Sequence, residues 1–178
     1  NNFLMFKKLI IITISLFLHH NQVVSNELKI AYVDLQKIIN ISDAGKKVSK
    51  ELAALNKSNI DKFKKKEKEL ADEEKKIFKQ KNILAKEEFE KKIIAFQSKI
   101  DLFKKNINES RVNIEKKRVN ATNEILKVLN PILSEYSSKN SISLILQKKN
   151  IIIGKSELEI TDQILDIVNV KLKSVKLK

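Results

Sequence analysis

Between Val48 and Val128 the apolar residues fall at helical spacing. Phe63, Leu70, Ile77 and Leu84 recur every seven residues, preceded by Val48, Leu52 and Leu55 at spacings of four and three. The repeat resumes with Ile93, Ile100, Ile107, Ile114, Ala121 and Val128, interleaved with Phe89, Phe96 and Phe103. Such recurrence keeps one apolar stripe on one side of a helix that packs against another helix. The stripe breaks within KQKNILAKEEFE at 79–90, where Asn82 suits a helix end and Glu87 and Glu88 suit the first turn of a new helix. The pattern predicts an antiparallel helical hairpin over 43–138 with its tip near 80–88, one continuous rod being the alternative. Pro131 is expected to kink or restart the second helix. Ser110 and Lys117 interrupt the seam, so the arms should bend and leave apolar side chains partly accessible. Around the tip these are Phe78, Ile83, Phe89 and Ile94.

A second period, of two, flanks the helical region. ELKIAYVDL at 27–35 alternates Leu28, Ile30 and Tyr32 against Lys29, Ala31 and Val33. ISLIL at 142–146 alternates Ile142, Leu144 and Leu146 against Ser143 and Ile145, and NIII at 150–153 supplies a third run that includes Ile152. The last two runs flank a polar turn and read as a β-hairpin. Three short strands make only a small sheet, with open edges and an apolar face that one chain cannot cover. Other copies of the chain would cover both, which assigns Ile30, Tyr32, Ile142, Leu144, Leu146 and Ile152 to an oligomeric body. A last helix is expected from Thr161 as N-cap, with Asp162 and Gln163 in its first turn and Ile164, Ile167, Val168 and Leu172 covering the outside of the sheet. The fold class is mainly α with a small β body. Its first strand and lead-in occupy 26–42, the hairpin arm 43–138, and the body strands and C-terminal helix 139–178.

Composition narrows the chemistry. Two Gly and one Pro in 178 residues leave few turns, in keeping with long helices. Residues 1–25 read as a secretory signal: FKK, then ten apolar residues in LIIITISLFL, then a polar segment with Val23 and Ser25 before a cleavage point near Ser25 and Asn26. Ten residues are too short to span a membrane as helix, which disfavours an uncleaved anchor. Both histidines, His19 and His20, lie in that segment and the chain has no Cys. The mature chain then has no Ser-His-Asp triad, thiol nucleophile, disulfide or nitrogen-and-sulfur zinc site, so no enzymatic activity, cofactor or metal is expected. IIIGKS at 151–156 fails as a phosphate loop, because the required first Gly is Lys149. Glu73 with Glu74, and Glu87 with Glu88, lie in mixed Lys/Glu runs typical of solvated helix faces.

Thirty-six Lys and Arg against 22 Asp and Glu give a formal charge of +14. Lys62, Lys64, Lys65, Lys66, Lys104, Lys105, Lys116, Lys117 and Arg118 would give the arms a basic capture surface, suited also to an anionic lipid or membrane surface. Nucleic acid is disfavoured as a partner: the aromatics lie on the apolar stripe instead of among the lysines, and the chain is read as exported.

Three segments carry a family resemblance. KIAYVDLQKIINISDAGKK at 29–47, SEYSSKNSISLILQKKNIII at 134–153 and EITDQILDIVN at 159–169 resemble the segments that bracket the long helices in the Skp (OmpH-like) family of periplasmic chaperones. The resemblance implies a homotrimer with a β body and three helical arms around a cavity for unfolded outer-membrane proteins, which it holds without ATP in the periplasm. The usual pattern has Gly where this chain has Ser141, an aromatic at Ile142 and an acid at Gln147. A structural coiled-coil envelope protein or adaptor explains the heptads equally well, but requires a continuous apolar seam and binds no client.

Overall fold

The computed structural model describes residues 28–177; the signal segment expected at 1–25, with its cleavage point, lies outside them. The elements run β1 (Ile30–Val33), α1 (Leu35–Ile41), α2 (Asp43–Lys79), α3 (Lys86–Lys139), β2 (Leu144–Gln147) and α4 (Thr161–Lys171), with short 3-10 turns at Lys148–Asn150 and Ser156–Leu158. The two long helices pack against each other as an antiparallel hairpin, and the two strands form a parallel sheet at its root.

Local chemistry sets each boundary. Asp34 ends β1 and caps α1 by accepting the Lys37 N–H at 2.8 Å. Ser42 separates α1 from α2 and accepts the Gly45 N–H at 3.1 Å. Gly45 is required by space: a Cβ there would come within 1.8 Å of the Ile39 carbonyl oxygen. The α2 helix ends at Lys79 with Gln80 as its C-cap, three residues before the expected Asn82 stop is reached, and Glu87 and Glu88 occupy the first turn of α3. The α3 helix runs on through Pro131 without restarting. Pro131 faces outward, where water can reach the Lys127 carbonyl that loses its donor.

The strands differ from expectation. No hairpin joins 142–146 to 150–153; β2 pairs parallel with β1, with Ile30 opposite Leu144 and Tyr32 opposite Leu146. A two-residue hairpin turn needs positive φ, which the Lys148–Lys149 pair does not adopt. The chain instead enters a 3-10 turn, and Ile152 and Ile153 are 98% and 90% exposed. The further pairing of β1 is with 159–160: the Ile160 N–H donates to the Tyr32 carbonyl at 2.9 Å, and Tyr32 bridges Glu159. Thr161 is the first residue of α4 and not its N-cap. Its buried hydroxyl accepts the Asp34 N–H and donates to Glu159, both at 2.9 Å, which fastens α4 to the end of β1.

Two clusters fill the interior. Ala31, Val33, Ile38, Leu129, Ile132, Ile142, Ile160, Ile164 and Val168 form the body core, with Ile145 packed on it. The expected set is therefore split: Ile142, like Ile145, faces the chain's own core, while Leu144 and Leu146 face out. Ala44, Val48, Leu52, Ala121, Ile125 and Val175 form the second cluster, at the root of the arm.

The end of α3 tests one departure from the family pattern. Ile142 N–H donates to the Ser137 carbonyl and Ser141 N–H to that of Ser138, at 2.9 and 3.4 Å, an arrangement that places Ser141 in the left-handed position. Ser141 has φ 53°, the one positive φ among the described residues other than glycine. Ser141→Gly should therefore raise stability by about 0.5–1 kcal/mol, relief of left-handed strain outweighing the added freedom of the unfolded chain. The urea midpoint should rise at unchanged m-value.

Acid should loosen α4. Glu135 on α3 accepts from Lys139 and from Lys171 on α4, at 2.7 and 3.0 Å, and these bonds lower its pKa from 4.5 to about 2. A depressed carboxylate stabilises fully above its unfolded pKa, and the contribution disappears as pH falls through the folded value. The stability difference between wild type and Glu135→Gln should be constant above about pH 5 and shrink steadily toward pH 2. Denaturant titrations of both proteins across that range check this.

Candidate binding surfaces

At 1.5 Å per residue, the 37 residues of α2 extend about 55 Å and the 54 of α3 about 80 Å, the excess of α3 being the part packed into the body. Along the seam Leu52, Leu70 and Ile77 are buried. Phe63 meets Phe103 edge to face with ring centres 6.1 Å apart, and Phe78 meets Phe89 at 6.4 Å beside the tip. The polar interruption at Ser110 is matched across the seam: Asn59 Nδ2 donates to Ser110 Oγ at 2.7 Å. Such a pair fixes the register of the two helices, because sliding by one turn would strand both groups. Beside it the seam opens into a groove of about 620 Å³ lined chiefly by Asn56, Ile60, Phe63, Ile107, Arg111 and Val112. Lys117, the second interruption, is half-buried.

Of the four apolar residues expected to be accessible near the tip, Phe78, Ile83 and Ile94 are 55%, 79% and 67% exposed, and Phe89 is half-buried under Phe78. Leu102, Val112 and Val119 are also exposed and were not singled out from the sequence. Ile94, Val112 and Val119 are separated by 18 and 7 residues, close to whole turns of a 3.6-residue helix, so they share one face of α3. That second periodicity was available in the sequence but was masked by the stronger heptads.

The basic residues divide into two groups. The Phe63 to Phe103 contact sets Lys62, Lys64, Lys65 and Lys66 at the height of Lys104 and Lys105, in the middle of the arm. Lys116, Lys117 and Arg118 lie nearer the root, on the body side of the Asn59 to Ser110 bond. The lysines at 62–66 surround α2 instead of sharing a face, since each residue turns the helix by about 100°. Exposed carboxylates offset part of this charge, through ion pairs such as Lys66 with Glu69, Lys105 with Glu109 and Arg118 with Glu115. Residues 43–139 nevertheless carry 25 Lys and Arg against 16 Asp and Glu.

The residues assigned to an oligomeric body separate into two groups. Ile30, Tyr32, Leu144 and Leu146 share the outer face of the sheet, where Leu144 and Leu146 are 45% and 39% exposed. Tyr32 is covered within the chain by Gly154, whose absent Cβ would lie 3.1 Å from the ring. Ile142 belongs to the chain's own core, and Ile152 projects into solvent. Among the described residues, no helix is long and apolar enough to cross a membrane.

A small parallel sheet rooted in a long helical hairpin recurs in known proteins. A crystallised OmpH-like protein from Caulobacter crescentus CB15, assigned as an outer membrane chaperone, matches with a TM-score of 0.76 over 83% of this chain and 87% of its own, at 16% identity. At that identity the likeness establishes the shared fold. No curated protein sequence gives a significant match. The family described as Outer membrane protein (OmpH-like) matches residues 29–168, from the start of β1 into α4. The chain belongs to the OmpH-like family.

Proposed function

We propose that the protein is an ATP-independent holdase of the periplasm, which keeps unfolded outer-membrane proteins from aggregating between the helical arms of a homotrimer. Family membership supports a chaperone role. The observation that carries the finer reading is the division of labour along the arm. One face of each helix forms a packed seam, while separate apolar residues, Phe78, Ile83, Ile94 and Val112 among them, remain exposed within a positively charged surface. A structural coiled coil has no use for that second set. The open outer face of the sheet supports self-association, and the number three follows the family resemblance.

Capture and holding then have different physical origins. The field of the arms attracts an acidic unfolded chain from a distance and raises the encounter rate. Holding rests on many partial contacts, each about 1 to 2 kcal/mol, so that release needs no nucleotide. The basic surface also suits an anionic lipid headgroup layer.

Association of an unfolded barrel protein should slow as salt rises, because the Debye length falls from about 10 Å at 0.1 M to about 3 Å at 1 M. Changing Lys62, Lys64, Lys104 and Lys105 together to Gln should do the same at low salt, with dissociation nearly unchanged. Changing Phe78, Ile83 and Ile94 to Ser should raise the dissociation rate instead. Stopped-flow association and dissociation rates check both. Association indifferent to salt and to the lysines would contradict electrostatic capture, and failure of the wild type to suppress client aggregation would contradict the holdase reading itself.

A further inference from the structure

Residues 172–177, which the proposed function leaves unused, lie across the root of the arm. They follow α4 without helix or strand and read LKSVKL, beyond the end of the family match at Val168. Val175 is 8% exposed and sits among Val48, Leu52, Ala121 and Ile125, and Leu172 and Leu177 pack half-buried on the same cluster. Between them Lys173 and Ser174 face outward, and Lys173 Nζ lies 3.1 Å from Asp43 Oδ2 at the start of α2. Lys176 lines a shallow groove along α3 with Asn120 and Asn123. The tail therefore crosses the hairpin from α2 to α3, with apolar side chains turned in at i, i+3 and i+5 and lysines turned out.

We propose that the notch between α2 and α3 at the arm root is a binding site for an extended, unfolded polypeptide segment, occupied in cis by residues 172–177. The seated tail shows the chemistry the site accepts: apolar side chains at i, i+3 and i+5, with a cation at i+1 for Asp43. Its visible attachments are one buried valine, two half-buried leucines and an exposed ion pair, a set that another segment of the same pattern can replace. A tethered tail has a high effective concentration, so a free segment competes poorly. A client already held between the arms is itself concentrated near the notch and displaces the tail. The notch is then a second site, reached after capture, and this rests on the holdase reading.

The test uses the full chain with Val175→Asp, which expels the tail, and a fluorescein-labelled LKSVKLK peptide followed by anisotropy. The peptide should bind the variant about tenfold or more tightly than wild type, and a urea-unfolded β-barrel protein should displace it. The same peptide with aspartate in place of its valine should not bind. Equal binding to wild type and variant, or none to either, overturns the proposal. Peptide that binds the variant but resists displacement overturns the client site and leaves the tail a structural strap, provided wild type suppresses aggregation of that client. Should the variant lose its helical circular dichroism, a chain ending at Lys171 is used with the same readouts. Wild-type aggregation suppression is scored separately, so failure at the notch and failure of the holdase reading are distinguishable.

Discussion

The parallel pairing of β1 with β2 is the constraint on which the rest of the molecule depends. Parallel neighbours need a crossover that returns the chain to its starting edge, commonly a single helix. Here the crossover is the whole hairpin, so the arm must leave the body after Ile41 and come back in register to place Leu144 beside Ile30. The passage from α1 into α2 is tight enough at Gly45 to exclude a Cβ, and the passage from α3 towards β2 goes through the left-handed residue Ser141. The body core then closes around Leu129 and Ile132 of the returning helix, together with Ile164 and Val168 of α4.

The same constraint leaves the sheet unfinished. Two four-residue strands cannot cover both of their faces, and Ala31, Val33 and Ile145 go to the chain's own core. Leu144 and Leu146 remain on the other face, partly exposed, with Ile152 and Ile153 projecting nearby in sequence. A surface of this kind invites copies of itself, and an assembly built on it would hold several arms at one root. Under the proposed holdase reading, weak contacts on each arm would gain strength by acting together on one client.

The helical part of this architecture was legible because helix period and turn chemistry are local. The heptads predicted the hairpin, with Phe63 and Phe103 on its apolar stripes, and Glu87 with Glu88 marked the second helix start. The strand partners were not legible, because alternation does not encode whether a neighbour is parallel or antiparallel. Runs such as ISLIL have apolar residues on both faces, so Ile142 was grouped with Leu144 and Leu146 although it belongs to the chain's own core. Thr161 misled for a related reason: the long-range hydrogen bonds that hold it are tertiary facts. On the candidate surfaces, accessibility at Ile83 and Ile94 was expected from the interrupted seam, whereas the α3 face through Val112 and Val119 needed a second period to be sought.

The central claim is that the single chain is incomplete and that its open sheet face is closed by other copies. Native mass spectrometry of the exported protein at micromolar concentration tests it most directly, with Leu144→Asp beside it. Because Leu144 lies outside the chain's own core, the variant should keep its helical circular dichroism and yet dissociate. The account predicts a trimer for wild type and a folded monomer for the variant. A monomeric wild type, or a variant that assembles as wild type does, would contradict it.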